Sequence, residues 1–211
     1  MGYKRARVSA FLFDLLFVVL LTTMVANVDF LNPKLDDYQT VYTEYNEILN
    51  EMSNSLTEGG SGSAYYMTDD LKTSMYELEM CNLYYYVYYI VFVILYFIIF
   101  QWWNNGATLG KKLFKLKVVD NEENNPNLLK YCIRYLFNGS SFIMGIHFIT
   151  ILRLILLFCG LGVNAYFITY TGLSLVSYVF EIVFVLYYFI NRKNKGLDDL
   201  IAGTKVISTA K

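Results

Sequence analysis

The feature that most constrains this chain is the gathering of its apolar residues into blocks too long for the core helix of a soluble domain. An α-helix rises about 1.5 Å per residue, so roughly 20 apolar residues cross a hydrocarbon layer about 30 Å thick. Val8 to Ala26 is the first such block and Leu83 to Trp103 the second. Phe137 to Gly172 is too long for one helix. Its glycines at 160, 162 and 172 suggest a span over 137–159, then a short outer turn or re-entrant piece over Val163 to Thr171. Leu173 to Asn191 closes the series. Charged residues make up 17% of the chain, below the roughly 25% of soluble domains. The predicted fold class is all-α: a single-domain polytopic transmembrane bundle of four spans (about 8–26, 83–103, 137–159 and 173–191), carrying a helical extracytoplasmic loop and small amphipathic cytoplasmic segments.

The first block follows Lys4, Arg5 and Arg7, a flank that also suits a signal peptide. Asp14 inside the apolar run, and the lack of a small-x-small cleavage site, favour a retained helix. The second block has a tyrosine cluster at one end and Trp102–Trp103 at the other, as aromatic belts at two interfaces would.

Lysine and arginine set the direction of insertion. Residues 27–82 hold 11 acidic side chains against Lys34 and Lys72. The segment 104–136 holds Lys111, Lys112, Lys115, Lys117, Lys130 and Arg134, and the tail adds Arg192, Lys193, Lys195, Lys205 and Lys211. Both basic segments and both termini are therefore expected inside, with the acidic 27–82 insertion outside. Within that loop, a flexible Gly/Ser stretch separates two polar helical runs, Tyr38 to Met52 and Asp69 to Met80, a helical hairpin by expectation. Cys81 and Cys159 both fall near the outer face, where an oxidising compartment would let them pair.

Three stretches, RVSAFLFD, GATLGKKLFKLKVVD and GLDDLIAGTKVI, stand in this order along the chain. Taken together they resemble the RDD family of bacterial membrane proteins. RVSAFLFD places Arg7 and Asp14 at the arginine and first aspartate of the family pattern. GATLGKKLFKLKVVD is similar to the family's G-x-T-x-G-K block, through Gly106, Thr108, Gly110 and Lys111. GLDDLIAGTKVI is similar to its closing segment, with Asp199 as the second aspartate, Gly203 and Thr204 following, and Asp198 where the family usually has histidine. Arg134 matches a recurrent arginine before the third helix. The resemblance implies the membrane fold and a bacterial inner (plasma) membrane setting. It brings in transport, including cation–proton exchange, as an activity suggested for some members. The long acidic loop departs from compact members.

Read on their own chemistry, the same residues form a site candidate. Arg7 and Asp14 lie on one helix face, about 10 Å apart along the axis. An ionised carboxylate within the hydrocarbon costs at least about 2.5 kcal/mol, so Asp14 must face the bundle and be paired, hydrated or protonated. Arg7, Asp14, Arg134 and Asp199 are expected to form one polar cluster at the cytoplasmic side. Both a structural clasp and a ligand site fit that cluster. Arg153 and Glu181 fall at similar depths and form a second candidate, an intramembrane pair, read either as a proton-coupling carboxylate with its arginine or as an interhelical salt bridge.

GATLGKK is one residue short of a phosphate-binding P-loop and follows an apolar span, so phosphate binding by such a loop is not expected. Its lysines instead suit anionic headgroups. Phe114 to Val119 and Thr204 to Ile207 alternate like strands and could pair as a small sheet. His147 stands alone, and no nucleophile triad, metal-ligand set or cofactor motif is apparent. The chain is therefore read as non-enzymatic, without cofactor or metal and without nucleic-acid contacts. Its expected partners are the lipid bilayer and either further copies of itself or another membrane protein. Small-solute or cation/proton transport is the first functional expectation. A non-transporting accessory, partner-binding or immunity-type role for the acidic loop is the second.

Overall fold

A computed structural model describes residues 3–57, 68–136, 144–191 and 195–209. The Gly/Ser stretch, the first residues of the expected third span (137–143) and the side chains of His147 and Glu181 lie outside the described residues. The chain is mostly helical. In order come α1 (Tyr3–Ala26), α2 (Leu35–Thr57), α3 (Asp69–Cys81), α4 (Leu83–Trp103), α5 (Leu109–Leu113), β1 (Leu116–Asp120), α6 (Leu128–Leu136), α7 (Met144–Phe158), α8 (Val163–Ile190), α9 (Leu197–Ile201) and β2 (Thr204–Ser208).

Among the described residues, two helices are long and apolar enough to cross a bilayer, Lys4–Ala26 with mean hydropathy 2.3 and Leu83–Trp103 with 2.2. Leu12, Leu16, Leu20 and Met24 stand exposed along α1, and Leu175, Val179, Ile182 and Leu186 along α8. Contiguous apolar surface of this kind is stable against lipid and unfavourable against water.

The break expected over Val163 to Thr171 does not occur. α8 begins at Val163 and runs unbroken to Ile190. The turn lies earlier, where Gly160 takes a left-handed φ of 61° and Gly162 caps α8. Gly172 sits inside the helix with nothing within 4 Å of where a Cβ would be. One interior glycine costs about 1 kcal/mol, too little to end a long apolar helix. At about 42 Å, α8 is longer than a hydrocarbon core. Its first turns carry Tyr166, which packs edge-on against Tyr76 of α3 with ring centroids 5.2 Å apart. Cys81 is buried, Cys159 is exposed and both are free thiols, so the cross-link considered from sequence is not made.

Among the described residues, three apolar clusters run along the bundle. Tyr86, Leu152, Leu156, Leu157 and Tyr166 form one next to α3, and Val18, Tyr89, Val93, Tyr96 and Phe97 fill the middle. At the other end Ala6, Ala10, Ile98, Leu116, Val118, Tyr131 and Val206 join α1 and α4 to the small polar-faced elements. There β1 and β2 pair antiparallel with Val118 opposite Val206, adding a two-stranded sheet to an otherwise all-α fold.

α5 lies hard against α1. A Cβ on Gly110 would overlap the Ala10 carbonyl oxygen and come within 2.8 Å of Asp14 Oδ1. We therefore expect Gly110→Ala to destabilise the fold by about 1–3 kcal/mol through overpacking. Gly172→Ala, with open space around it, should stabilise it by up to about 1 kcal/mol. Thermal unfolding of both variants in the same detergent checks the contrast, and equal effects would contradict the close approach of α5 to α1.

Candidate functional site

Asp14 is fully buried, and its carboxylate is met entirely by the segment that begins in α4 and ends in α5. Oδ1 accepts from the Tyr96 hydroxyl at 2.6 Å and from the Gly110 backbone amide at 2.7 Å. Oδ2 accepts from the Thr108 hydroxyl at 2.5 Å. Thr108 is also the N-cap of α5, its Oγ1 accepting from the Lys111 amide at 3.3 Å. Every element of the glycine–threonine–glycine–lysine stretch thus has a structural task. Gly106, at φ 87°, accepts from the Val118 amide through its carbonyl and holds β1 so closely that a Cβ would overlap the Val118 carbonyl. Thr108 caps, Gly110 allows contact and donates, and Lys111 turns inward.

α4 presents its partners through a local change of helix type. Leu95–Phe100 is a π-helical turn. Tyr96 and Gln101 are five apart, so a regular α-helix would point them about 140° apart. The i→i+5 spacing of a π turn brings residues five apart nearly into line. Tyr96 can then serve Asp14 while Gln101 donates to the Gly106 carbonyl at 3.2 Å and accepts from Lys111 Nζ at 3.4 Å.

A second set of charges lies beside this one. Arg7 Nη1 donates to Asp199 Oδ2 at 2.9 Å, and Arg134 Nη1 donates to Asp199 Oδ1. Arg134 also pairs with Asp198 Oδ2 at 3.0 Å and donates to Thr204 Oγ1 at 2.9 Å. The Gly196 amide donates to Asp199 Oδ2 at 3.1 Å. Arg7, Arg134, Asp198, Asp199 and Thr204 are all buried. α1, α6, α9 and β2 are therefore joined through one carboxylate, Asp199. Burial pushes both carboxyls up. At Asp199 the attraction of Arg134 and Arg7 outweighs it and holds the group below its ordinary range, whereas at Asp198 burial prevails.

Of the four residues expected in one cluster, Arg7, Arg134 and Asp199 are in direct contact, while Asp14 has its own set of donors. Lys111 lies between the two sets. It is half-buried, and burial pushes its ammonium down to about 8, partly offset by the nearby Asp14 carboxylate, with Arg134 and Arg7 pushing it further down. A cavity of ≈ 40 Å³ lies against Lys111, Arg7 and Arg134. Gln101, Tyr131 and Tyr135 add polar atoms to its wall, and Ala10, Phe11, Phe97, Leu116 and Val206 complete it.

A scan against protein families matches the RDD family over residues 5–203, nearly the whole chain. The chain belongs to the RDD family. No curated protein and no solved structure matches it. This RDD protein carries Asp198 in the closing segment, where it shares Arg134 with Asp199.

Arg153 has three described partners that the sequence reading did not name. Its guanidinium lies 3.4 Å from Glu79 Oε1 of α3, and it donates to the Tyr170 hydroxyl at 2.7 Å and the Tyr86 hydroxyl at 3.0 Å. The Tyr170 ring lies beneath it with its centroid 5.0 Å away. Glu181, whose side chain lies outside the described residues, is eleven residues beyond Tyr170, about 16 Å along α8. The pairing of Arg153 with Glu181 expected from sequence therefore lies outside the described residues. Tyr96, Gln101 and Glu79 were missed. Twenty tyrosines mask Tyr96, and Glu79 sits in an acidic run.

Removing one partner of a buried ion pair leaves an uncompensated charge, costing about 3–5 kcal/mol. We expect this cost for Asp199→Asn, which strips the carboxylate from Arg7 and Arg134. Asp198→Asn should cost less, because burial already favours the neutral form there. Chemical unfolding in micelles, followed by tryptophan fluorescence, gives the comparison. The assignment of Asp199 as the hub fails if the order is reversed.

Proposed function

We propose that this RDD protein is a four-span inner-membrane carrier of a small solute or ion, non-enzymatic, with both termini and the basic segments in the cytoplasm and the α2–α3 hairpin outside. The observation that supports the reading is the small cation-lined cavity between Asp14's anchoring segment and the Asp199 hub. A bundle with only a structural clasp at this end has no need of a hollow against three cations. Asp14 and Glu181 remain the candidates for proton coupling, with Arg7, Arg134 and Arg153 setting their surroundings. The positive lining favours an anionic or neutral solute over cation–proton exchange. Four helices enclose little space, so the carrier is read as an oligomer in the bilayer.

The second reading is a non-transporting accessory or immunity-type protein that binds a membrane partner through its outer hairpin. It is favoured by one observation: Glu79 ties the hairpin to Arg153, and Tyr76 packs on Tyr166, so α3 is held rigidly for recognition.

Proteoliposomes with an imposed pH gradient separate the two. Transport predicts flux above protein-free vesicles that falls at least about tenfold for Asp14→Asn in folded protein. Flux equal to that of empty vesicles, across the anions and cations tried, would favour the binding role. The topology has its own check: an impermeant maleimide should label the exposed Cys159 in intact cells, and Cys132 only after permeabilisation. Labelling of Cys132 first would invert the proposed orientation.

A further inference from the structure

The cavity beside Lys111 has a chemical bias. Among the described residues its walls carry three cationic side chains, Arg7 from α1, Lys111 from α5 and Arg134 from α6, and no carboxylate. The three matching carboxylates stand behind the wall. Asp14 is enclosed by Tyr96, Thr108 and Gly110, and Asp198 and Asp199 are paired with Arg134 and Arg7. The hollow is thus lined by cationic groups whose carboxylate partners are not part of its described wall. The apolar walls from Phe11, Phe97, Leu116 and Val206 screen poorly, so that bias is stronger than it would be in water. The volume holds about three water molecules, comparable to the oxygens of one small oxyanion. Guanidinium and ammonium donors converging on one hollow are the groups that bind phosphate and carboxylate oxygens.

We propose that this cavity is a binding site for a single small oxyanion of the phosphate class, held by Arg7, Lys111 and Arg134. The proposal names the solute class for the carrier described above and rests on that reading of the cavity, but binding can be measured without transport. Arg7 and Arg134 also hold Asp199, so they are fixed in place before the anion arrives. Lys111 is the adjustable member. Its ammonium, Gln101 and the Thr108 hydroxyl form a loose set at 3.4 and 3.5 Å, which an anion can replace.

The same chemistry is carried by free phosphate and by a phospholipid headgroup, and the test has an arm for each. Inorganic phosphate is titrated calorimetrically into the full chain in a neutral detergent at constant ionic strength. In parallel, the protein is reconstituted in phosphatidylcholine nanodiscs containing phosphatidylglycerol, and retained lipid is scored by native mass spectrometry. Wild type should bind at least one of the two with one ligand per chain. Lys111→Met should weaken that binding at least about tenfold, Lys111→Arg should restore most of it, and the exposed Lys112→Met should leave it unchanged.

A pH series adds a second readout. The groups facing Lys111 are Arg7 and Asp14 of α1, Gln101 of α4, Tyr131, Tyr135 and Arg134 of α6 and Asp198 of α9. Burial holds the Tyr131 and Tyr135 hydroxyls above their ordinary range, so these tyrosines stay neutral. Affinity should therefore decline as pH rises past about 8, where Lys111 loses its proton. Circular dichroism confirms that each variant is folded. Binding of neither probe, or equal losses for Lys111→Met and Lys112→Met, would overturn the site. Flux with no measurable binding would leave the carrier reading standing and remove this one.

Discussion

A carboxylate shut off from bulk solvent must be met by donors that the fold supplies, and the way Asp14 is met organises the inner part of the molecule. Its two oxygens take two hydroxyls and one backbone amide, all within 2.7 Å. Each donor fixes something else. Tyr96 requires the π turn in α4. Thr108 begins α5, and the Gly110 amide is reachable only because glycine lets α5 touch α1. From α5 the chain passes into β1, which pairs with β2, so the placement of one side chain propagates into the sheet.

The Asp199 hub does the complementary work at the other end of the sequence. It draws α9 and β2 against Arg7 of α1 and Arg134 of α6. Lys4 Nζ adds to this closure by donating to the Phe189 and Asn191 carbonyls at the end of α8. The first and last parts of the chain are thus joined by charge-assisted bonds, which are short, directional and strong where water is scarce. Because the acids are used up in these bonds, the hollow left between the two networks is lined by bases. Its character follows from the clasp rather than competing with it. A site and a structural tie can be built from the same arginines, since each guanidinium offers five donors.

The legible part of the site consists of charged residues set among apolar ones. Asp14 stood out because a carboxylate inside an apolar helix is costly unless it is satisfied, and Arg7, Arg134 and Asp199 stood out through their match to the RDD pattern. The two alternating stretches could be read as strands because a period of two is a local signal. Neutral partners were not legible. Tyr96 and Gln101 sit in a helix whose aromatic and apolar surroundings give no cue to direction, and the π turn that aims them leaves no mark in composition. Arg153 was recognised as needing a carboxylate, but Glu79 lies in a loop segment whose return to the bundle depends on how α2 and α3 fold back. The position of the turn before α8 was misplaced because three glycines looked equivalent, and only two of them bound it.

The sequence by itself determined that this is a membrane-type chain of the RDD family and which of its charges need partners. Both follow from costs attached to residues and their near neighbours along the chain. Only the tertiary structure decided which donor meets which acceptor, that Asp14 and Asp199 are served by separate sets, and that Lys111 turns towards a hollow. Those outcomes depend on distances between segments up to 192 residues apart, as between Arg7 and Asp199. A local pattern carries no information about them until close packing has fixed the space between helices.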